Sequence, residues 1–294
     1  MAKKIVTKKQ HTILLLLYLF RFVNSKQIQE FLGHADHRRS NSWLKDLGEK
    51  GYIERDYTVV YGTLTKPAVY SLSAKGRKHI KDSYQYSFPH YVKRIARDTK
   101  ASKAFRIKCQ IIADWYLFEL NNLRQKQSSR TTIPLVDDLI KALTTETDEE
   151  KIPFNTAQFF TPGLFPSFIL LEKLKPDAYI RKRTKSGVGH GFIFIIDAYI
   201  PRFLLRYTIK RIFDTLDEEY WEDESIDALH IYFLCPNNQI IIYMRKMLTQ
   251  PLRGYYYKTL LYIRFATRNQ FYNRKAEKTD KMGWKVVSSE DLEY

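Results

Sequence analysis

The chain has 294 residues, 44% of them hydrophobic and 15% aromatic, which suits two domains with packed cores and excludes wholesale disorder. The net charge is +17, and 23 of the 49 Lys and Arg against 8 of the 32 Asp and Glu lie in the first 110 positions, so that stretch carries +15. Two cysteines, Cys109 and Cys235, stand far apart without metal-ligand spacing, which argues against a zinc site or a disulfide framework and fits a reducing cytoplasm.

Lys3, Lys4, Lys8 and Lys9 precede the apolar run from Ile13 to Phe20, a pattern shared with secretory signal peptides. Arg21 interrupts that run, which is too short to span a bilayer, and a buried first helix over residues 9–22 is the expectation. Asn24 or Ser25 supplies the N-cap of a second helix, Lys26 to Leu32, closed by Gly33. Asp36 can cap a third helix running to about Lys50, with Trp43, Leu44 and Leu47 on one face. Arg38, Arg39, Asn41, Ser42 and Lys45 are left to its other faces. Strands at Tyr52–Val60 and Ala68–Leu72 flank a turn holding Tyr61 and Lys66, and Ser73 caps a helix carrying Lys75, Arg77 and Lys78.

This order of elements, and the phrase Val69-Tyr70-Ser71-Leu72-Ser73-Ala74-Lys75-Gly76, resemble the winged helix-turn-helix family. The resemblance implies a third helix in the major groove of duplex DNA and a wing on its backbone. By position it assigns DNA contacts to Arg38, Arg39, Asn41, Ser42 and Lys45 on the helix and to Tyr61 and Lys66 on the wing. Independently of any family, a compact module of +15 is attracted to duplex phosphates whatever their sequence. Lys75, Arg77 and Lys78 belong to the same basic surface, which in a bland reading is merely solvated or docks protein.

Tyr84 to Pro89 breaks the pattern, and Tyr91 to about Gln127 reads as a basic-faced connector helix whose Ala113–Leu123 stretch packs inward. Gln125 to Glu150 is polar and reads as a loop around one short helix. Beyond residue 170 the expected order is a strand at Lys175–Ile180, a basic turn, an apolar strand at Phe192–Ala198 and a helix at Arg202–Tyr220. That helix counts Phe203, Leu204, Tyr207, Ile209 and Ile212 among its apolar residues. A strand at Ala228–Leu234 follows, then Asn238–Leu248 as helix or strand, and Leu260–Ala266 closes a mixed sheet.

Pro176-Asp177 on one strand and Asp197 on the next resemble the PD-(D/E)XK nuclease-like fold. In that fold two acids hold Mg²⁺ and a Lys two residues after the second acid helps activate water. Tyr199 stands where that Lys belongs, and Lys210 on the following helix is the one substitute. Mg²⁺ at Asp177 and Asp197 is therefore implied only for an active site, and DNA binding needs no cofactor. The acidic run Asp214 to Asp227, eight acids without a base, reads as a solvated helix end and loop. Arg245 to Lys285 returns to eleven bases interleaved with rings, a pattern of core strands or of single-stranded nucleic-acid binding.

Taken whole, a winged helix followed by Lys175-Pro176-Asp177-Ala178 and an apolar strand ending in Asp197 resembles the replication-relaxation family of plasmid and mobile-element proteins, although Ile195 stands where that family tends to carry Glu. The expected class is α+β, with a winged helix at 1–83, a helical linker at 84–127 and a restriction-endonuclease-like α/β domain with a mixed sheet at 128–294. The implied function is a cytoplasmic DNA-binding accessory protein, possible as a homodimer, that binds duplex origin DNA and recruits a relaxase or replication initiator, with no membrane role. Two other readings are a Mg²⁺-dependent nuclease using Asp177, Asp197 and Lys210, and a winged-helix transcriptional repressor.

Overall fold

The computed structural model describes residues 6–56, 67–84, 100–126, 157–161, 169–183, 188–217, 226–252, 260–277 and 285–287. The chain divides into two compact units, residues 1–148 and 149–294. The architecture is α+β: helices with a small antiparallel sheet in the first unit, and a mixed sheet with helices in the second.

In the first unit, α1 (Lys8–Phe20) begins at a capping box in which Thr7 and Gln10 bond reciprocally. Ile13 through Phe20 are all buried, so the apolar run is a core helix, and burying each such side chain is worth roughly 1.5–3 kcal/mol. Arg21 ends it at φ +66, its N–H donating to the Leu17 carbonyl and its guanidinium lying 4.4 Å from the centre of the Phe105 ring. α2 (Ser25–Phe31) has Asn24 as N-cap, with Gln27 completing a second capping box. Gly33, at φ +62, follows it. α3 (His37–Glu49) starts at Asp36, whose carboxylate accepts the N–H of Arg38 at 2.8 Å.

β2 (Ile53–Asp56) and β3 (Val69–Leu72) pair antiparallel in the register Ile53↔Leu72, as a hairpin requires. β1 (Val23–Asn24), too short for any periodicity, adds to the other side of β3 and makes the order β1-β3-β2. α4 (Ala74–Tyr84) passes so close to Tyr52 that a Cβ on Gly76 would lie 2.1 Å from the Tyr52 carbonyl oxygen. Ser73 caps this helix, accepting the N–H of Gly76 and donating to the Gly51 carbonyl. α5 (Lys103–Lys126) belongs to this unit too. Ile111, Ile112, Trp115 and Leu117 are buried, Gln27 bonds the Gln110 carbonyl, and Arg106 pairs with Asp56. The helix expected as a connector is thus packed on α1 and α2 from Lys103 onward.

The second unit holds a six-stranded sheet in sequential order. β4 (Ala157–Phe160) pairs antiparallel with β5 (Ala178–Arg183), and β5 antiparallel with β6 (Val188–Ile195). β6, β7 (Ile226–Cys235) and β8 (Leu260–Thr267) are parallel, and β9 (Lys285–Val287) returns antiparallel on β8. β8 therefore does not close the sheet, and the two outer strands carry no periodic signal in the sequence because each spans only three or four residues. α6 (Ile169–Leu174) precedes β5; α7 (Arg202–Asp217) and α8 (Asn238–Leu252) are the crossovers that parallel strands need. The isoleucine run Ile240–Ile242 is helical, and α9 (Arg268–Glu277) follows β8. Phe192, Ile193, Ile231, Phe233, Ile263 and Phe265 are fully buried, which explains the continuous apolar strands at the centre.

Candidate nucleic-acid interface

Helix α3 turns Ser40, Leu44 and Leu47 inward at i, i+4, i+7 spacing. Arg38, Arg39, Asn41, Ser42 and Lys45 are consequently all exposed. Trp43 is only half-buried, set edge-on against His34 with ring centres 5.0 Å apart. Lys45 lies 3.9 Å from Glu49, a pair exposed enough for water to screen, so it does not withdraw the ammonium from a phosphate.

Beside α3, Asn41 and Lys45 form one wall of a cleft of about 550 Å³, and Arg55 and Tyr70, opposite each other on β2 and β3, line it further. Burial raises the Tyr70 phenol above its ordinary value, against the opposing pull of the Arg55 charge and hydrogen bond. The phenol therefore stays neutral at this rim. The sequence pattern does not single out Arg55; its one signal is a cation amid three consecutive exposed residues of a short strand.

The α4 cations divide. Lys75 donates to the Lys50 carbonyl at 2.6 Å and lies over the Tyr52 ring, while Arg77 donates to the Leu72 carbonyl at 3.0 Å. Both brace the module's own backbone, Arg77 half-buried and Lys75 still exposed, and Lys78 is exposed as well. Tyr61 and Lys66 lie outside the described residues.

In the second unit, antiparallel pairing of β5 with β6 puts the start of one and the end of the other at a single sheet edge. Asp177 and Asp197 flank that edge. The Asp177 N–H donates to the Ile193 carbonyl at 2.8 Å, and its carboxylate accepts the Ile195 N–H at 2.7 Å. Asp197 accepts the Tyr199 N–H at 3.0 Å in a local turn. Because β6, β7 and β8 are parallel, this is also where their carboxyl ends emerge, the usual ligand side of such sheets. Arg268, at the start of α9, reaches the same edge and donates to the Ile196 carbonyl at 2.8 Å; nothing in the linear spacing marks it.

Lys210 is not brought there. It is exposed on α7, on the side away from the buried Leu205, Ile209 and Ile212, so the expected migrated lysine faces solvent. Each of the two carboxylates accepts one backbone N–H, an arrangement found both in structural turns and in carboxylates that hold a cation. Among the described residues no group of three His, Cys, Asp or Glu gathers as metal ligands.

Deeper in the sheet, His190 and Tyr179 are buried and bonded, Nδ1 to Oη, at 2.6 Å. Burial, then the charge of Arg181, pushes the His190 imidazole down to about 4, so it is neutral. Burial likewise pushes the Cys235 thiol up to about 12, against the opposing charge of Arg268, which leaves it an inert core group.

A basic helical unit with an outward cationic helix, joined in one chain to a mixed-sheet unit with two acids at one edge, defines a two-unit α+β protein. The chain belongs to the replication-relaxation family, whose model matches residues 14–198, more than half its length. The match runs from inside α1 past Asp197 and so covers both the α3 face and the acid pair. Membership points to a role in plasmid replication. No curated protein and no solved structure matches the chain. Among the described residues no helix is long and apolar enough to cross a membrane.

Proposed function

We propose that the protein is a DNA-binding accessory factor of plasmid or mobile-element replication or mobilisation. In this reading the first unit is a winged helix-turn-helix with α3 as its recognition helix, and the second is a restriction-endonuclease-like domain that has lost cleavage and recruits a relaxase or replication initiator. The observation that carries it is the α3 face: five polar or cationic side chains exposed opposite a buried stripe, next to a cleft walled by Asn41 and Lys45. Such a helix can offer Arg to guanine edges and Lys to phosphates, with the cleft taking the DNA backbone. The supporting charge is the +15 concentrated in the first 110 residues.

Non-catalytic use of the second unit rests on chemistry at the sheet edge. Tyr199, 93% exposed, replaces the expected lysine, Ile195 offers only its N–H, and Lys210 faces away. The test is incubation of the full chain with supercoiled plasmid carrying its native locus, in Mg²⁺ or Mn²⁺ and in EDTA. Retarded, uncut plasmid in every condition is the expected result. Metal-dependent nicking that disappears in Asp177→Ala would make the protein an enzyme instead. Binding confined to the protein's own promoter would make it a repressor.

A further inference from the structure

Helix α7 presents two rows to solvent. Its turn and first two helical turns expose Tyr199 at 93%, Phe203 at 68% and Tyr207 at 62%. Beside them, again four residues apart, run Arg202, Arg206 and Lys210, all exposed. Four residues of α-helix rise about 6 Å, so rings and cations alternate as two parallel ladders. The neighbouring helix α8 supports them: Arg206 donates to the Tyr243 hydroxyl at 2.9 Å, and the Arg202 guanidinium sits 5.2 Å from the centre of the Tyr243 ring. Residues 198–213 and 236–252 together hold six Lys or Arg and no Asp or Glu.

We infer that this face of α7 binds single-stranded DNA, with bases stacked on Phe203, Tyr207 and Tyr199 and phosphates drawn to Arg202, Arg206 and Lys210. The chemistry fits an unstacked strand more closely than other occupants. Exposed rings need a flat π-face to cover them, and duplex DNA offers none along its length, whereas each base of a single strand does. A second copy docking through this same face in a two-fold contact would bring two rows of like charge together, which opposes association. Residues 198–213 and α8 carry no acid, as suits a polyanion, and the acids of α7, Asp214 and Asp217, stand in its last turn beyond the two ladders. The surface belongs to the second unit and lies beyond the residues of the family match, so it stands apart from the duplex reading of α3.

The experiment uses the full chain carrying Arg38→Ala and Arg39→Ala, so that the α3 face contributes little, and labelled oligo(dT) of about 16 nucleotides, a length within known single-strand site sizes. Fluorescence anisotropy should show binding that weakens about 10- to 100-fold when Phe203→Ala and Tyr207→Ala are added, as loss of stacked rings predicts. Phe203→Tyr with Tyr207→Phe should keep the affinity, because both rings still stack, and Lys210→Glu should weaken it. Unchanged oligo(dT) affinity in the ring-deleted variant, or no binding by its parent, would overturn the inference. So would loss of a dimer in sedimentation on deleting the rings, or binding to anionic phospholipid vesicles with none to oligo(dT).

Discussion

Two helices of this chain present cations to solvent, and they do so differently. On α3 the exposed company of Arg38, Arg39 and Lys45 is small and polar, Asn41 and Ser42, and no large apolar side chain of that helix is exposed. On α7 the cations alternate with Phe203 and Tyr207, both mostly in solvent. Charge alone attracts any nucleic acid, so what lies between the charges decides which form is held. Short polar groups can hydrogen-bond base edges in a groove, whereas rings need bases already out of the stack. One chain with both surfaces is suited to hold a duplex site and a strand opened from it.

Substitutions can set surface effects on the two helices apart from scaffold effects in the units that carry them. The largest expected scaffold effect is acid loss of the second unit. His190 is held neutral in the fold at about 4, while an unfolded histidine titrates near 6.5. Between those values the unfolded chain binds the extra proton, so stability falls as pH drops from about 6.5 to 4 and then levels, a loss of about 3 kcal/mol. Denaturant melts across that range, with His190→Gln flattening the slope, check it.

Next in size, Arg38→Ala with Arg39→Ala should weaken duplex binding about 100-fold, as loss of two contacts to base edges or phosphates predicts, and leave oligo(dT) stacking on α7 in place. Gel retardation with both probes reads this, and equal loss for both would merge the two surfaces into one. Gly76→Ala should destabilise the first unit by about 1–3 kcal/mol, because a methyl group at 2.1 Å from the Tyr52 oxygen forces α4 off the sheet. Its chevron or urea midpoint should shift without altering the second unit's response to acid. Asn24→Ala, which removes the cap of α2, should cost about 1 kcal/mol in the same assay.

Much of the first unit is legible in the amino-acid sequence alone. Asn24, Asp36 and Ser73 cap helices because short polar side chains beside an apolar period have few other uses. The α3 face follows from a 3.6 period alone. What escapes such a reading depends on tertiary neighbours. Lys75 and Arg77 look like surface cations, yet carbonyls at Lys50 and Leu72 claim them. Arg268 reaches the Ile196 carbonyl across 72 positions of chain. On α7 two apolar stripes compete for one core, and Leu205, Ile209 and Ile212 are the ones buried, leaving Phe203 and Tyr207 outside. The acid pair is legible as a pair and its shared edge follows from strand direction, but Lys210 can be placed only once the buried side of its helix is known.

The most direct test of the central claim is the salt dependence of duplex binding by the full chain, measured on DNA from its native locus with and without the two α3 substitutions. If Arg38 and Arg39 contact phosphates or the adjoining groove edge, the variant should bind more weakly and the slope of log K against log salt should flatten by up to about 2. An unchanged affinity and an unchanged slope would contradict the account and move the duplex surface off α3.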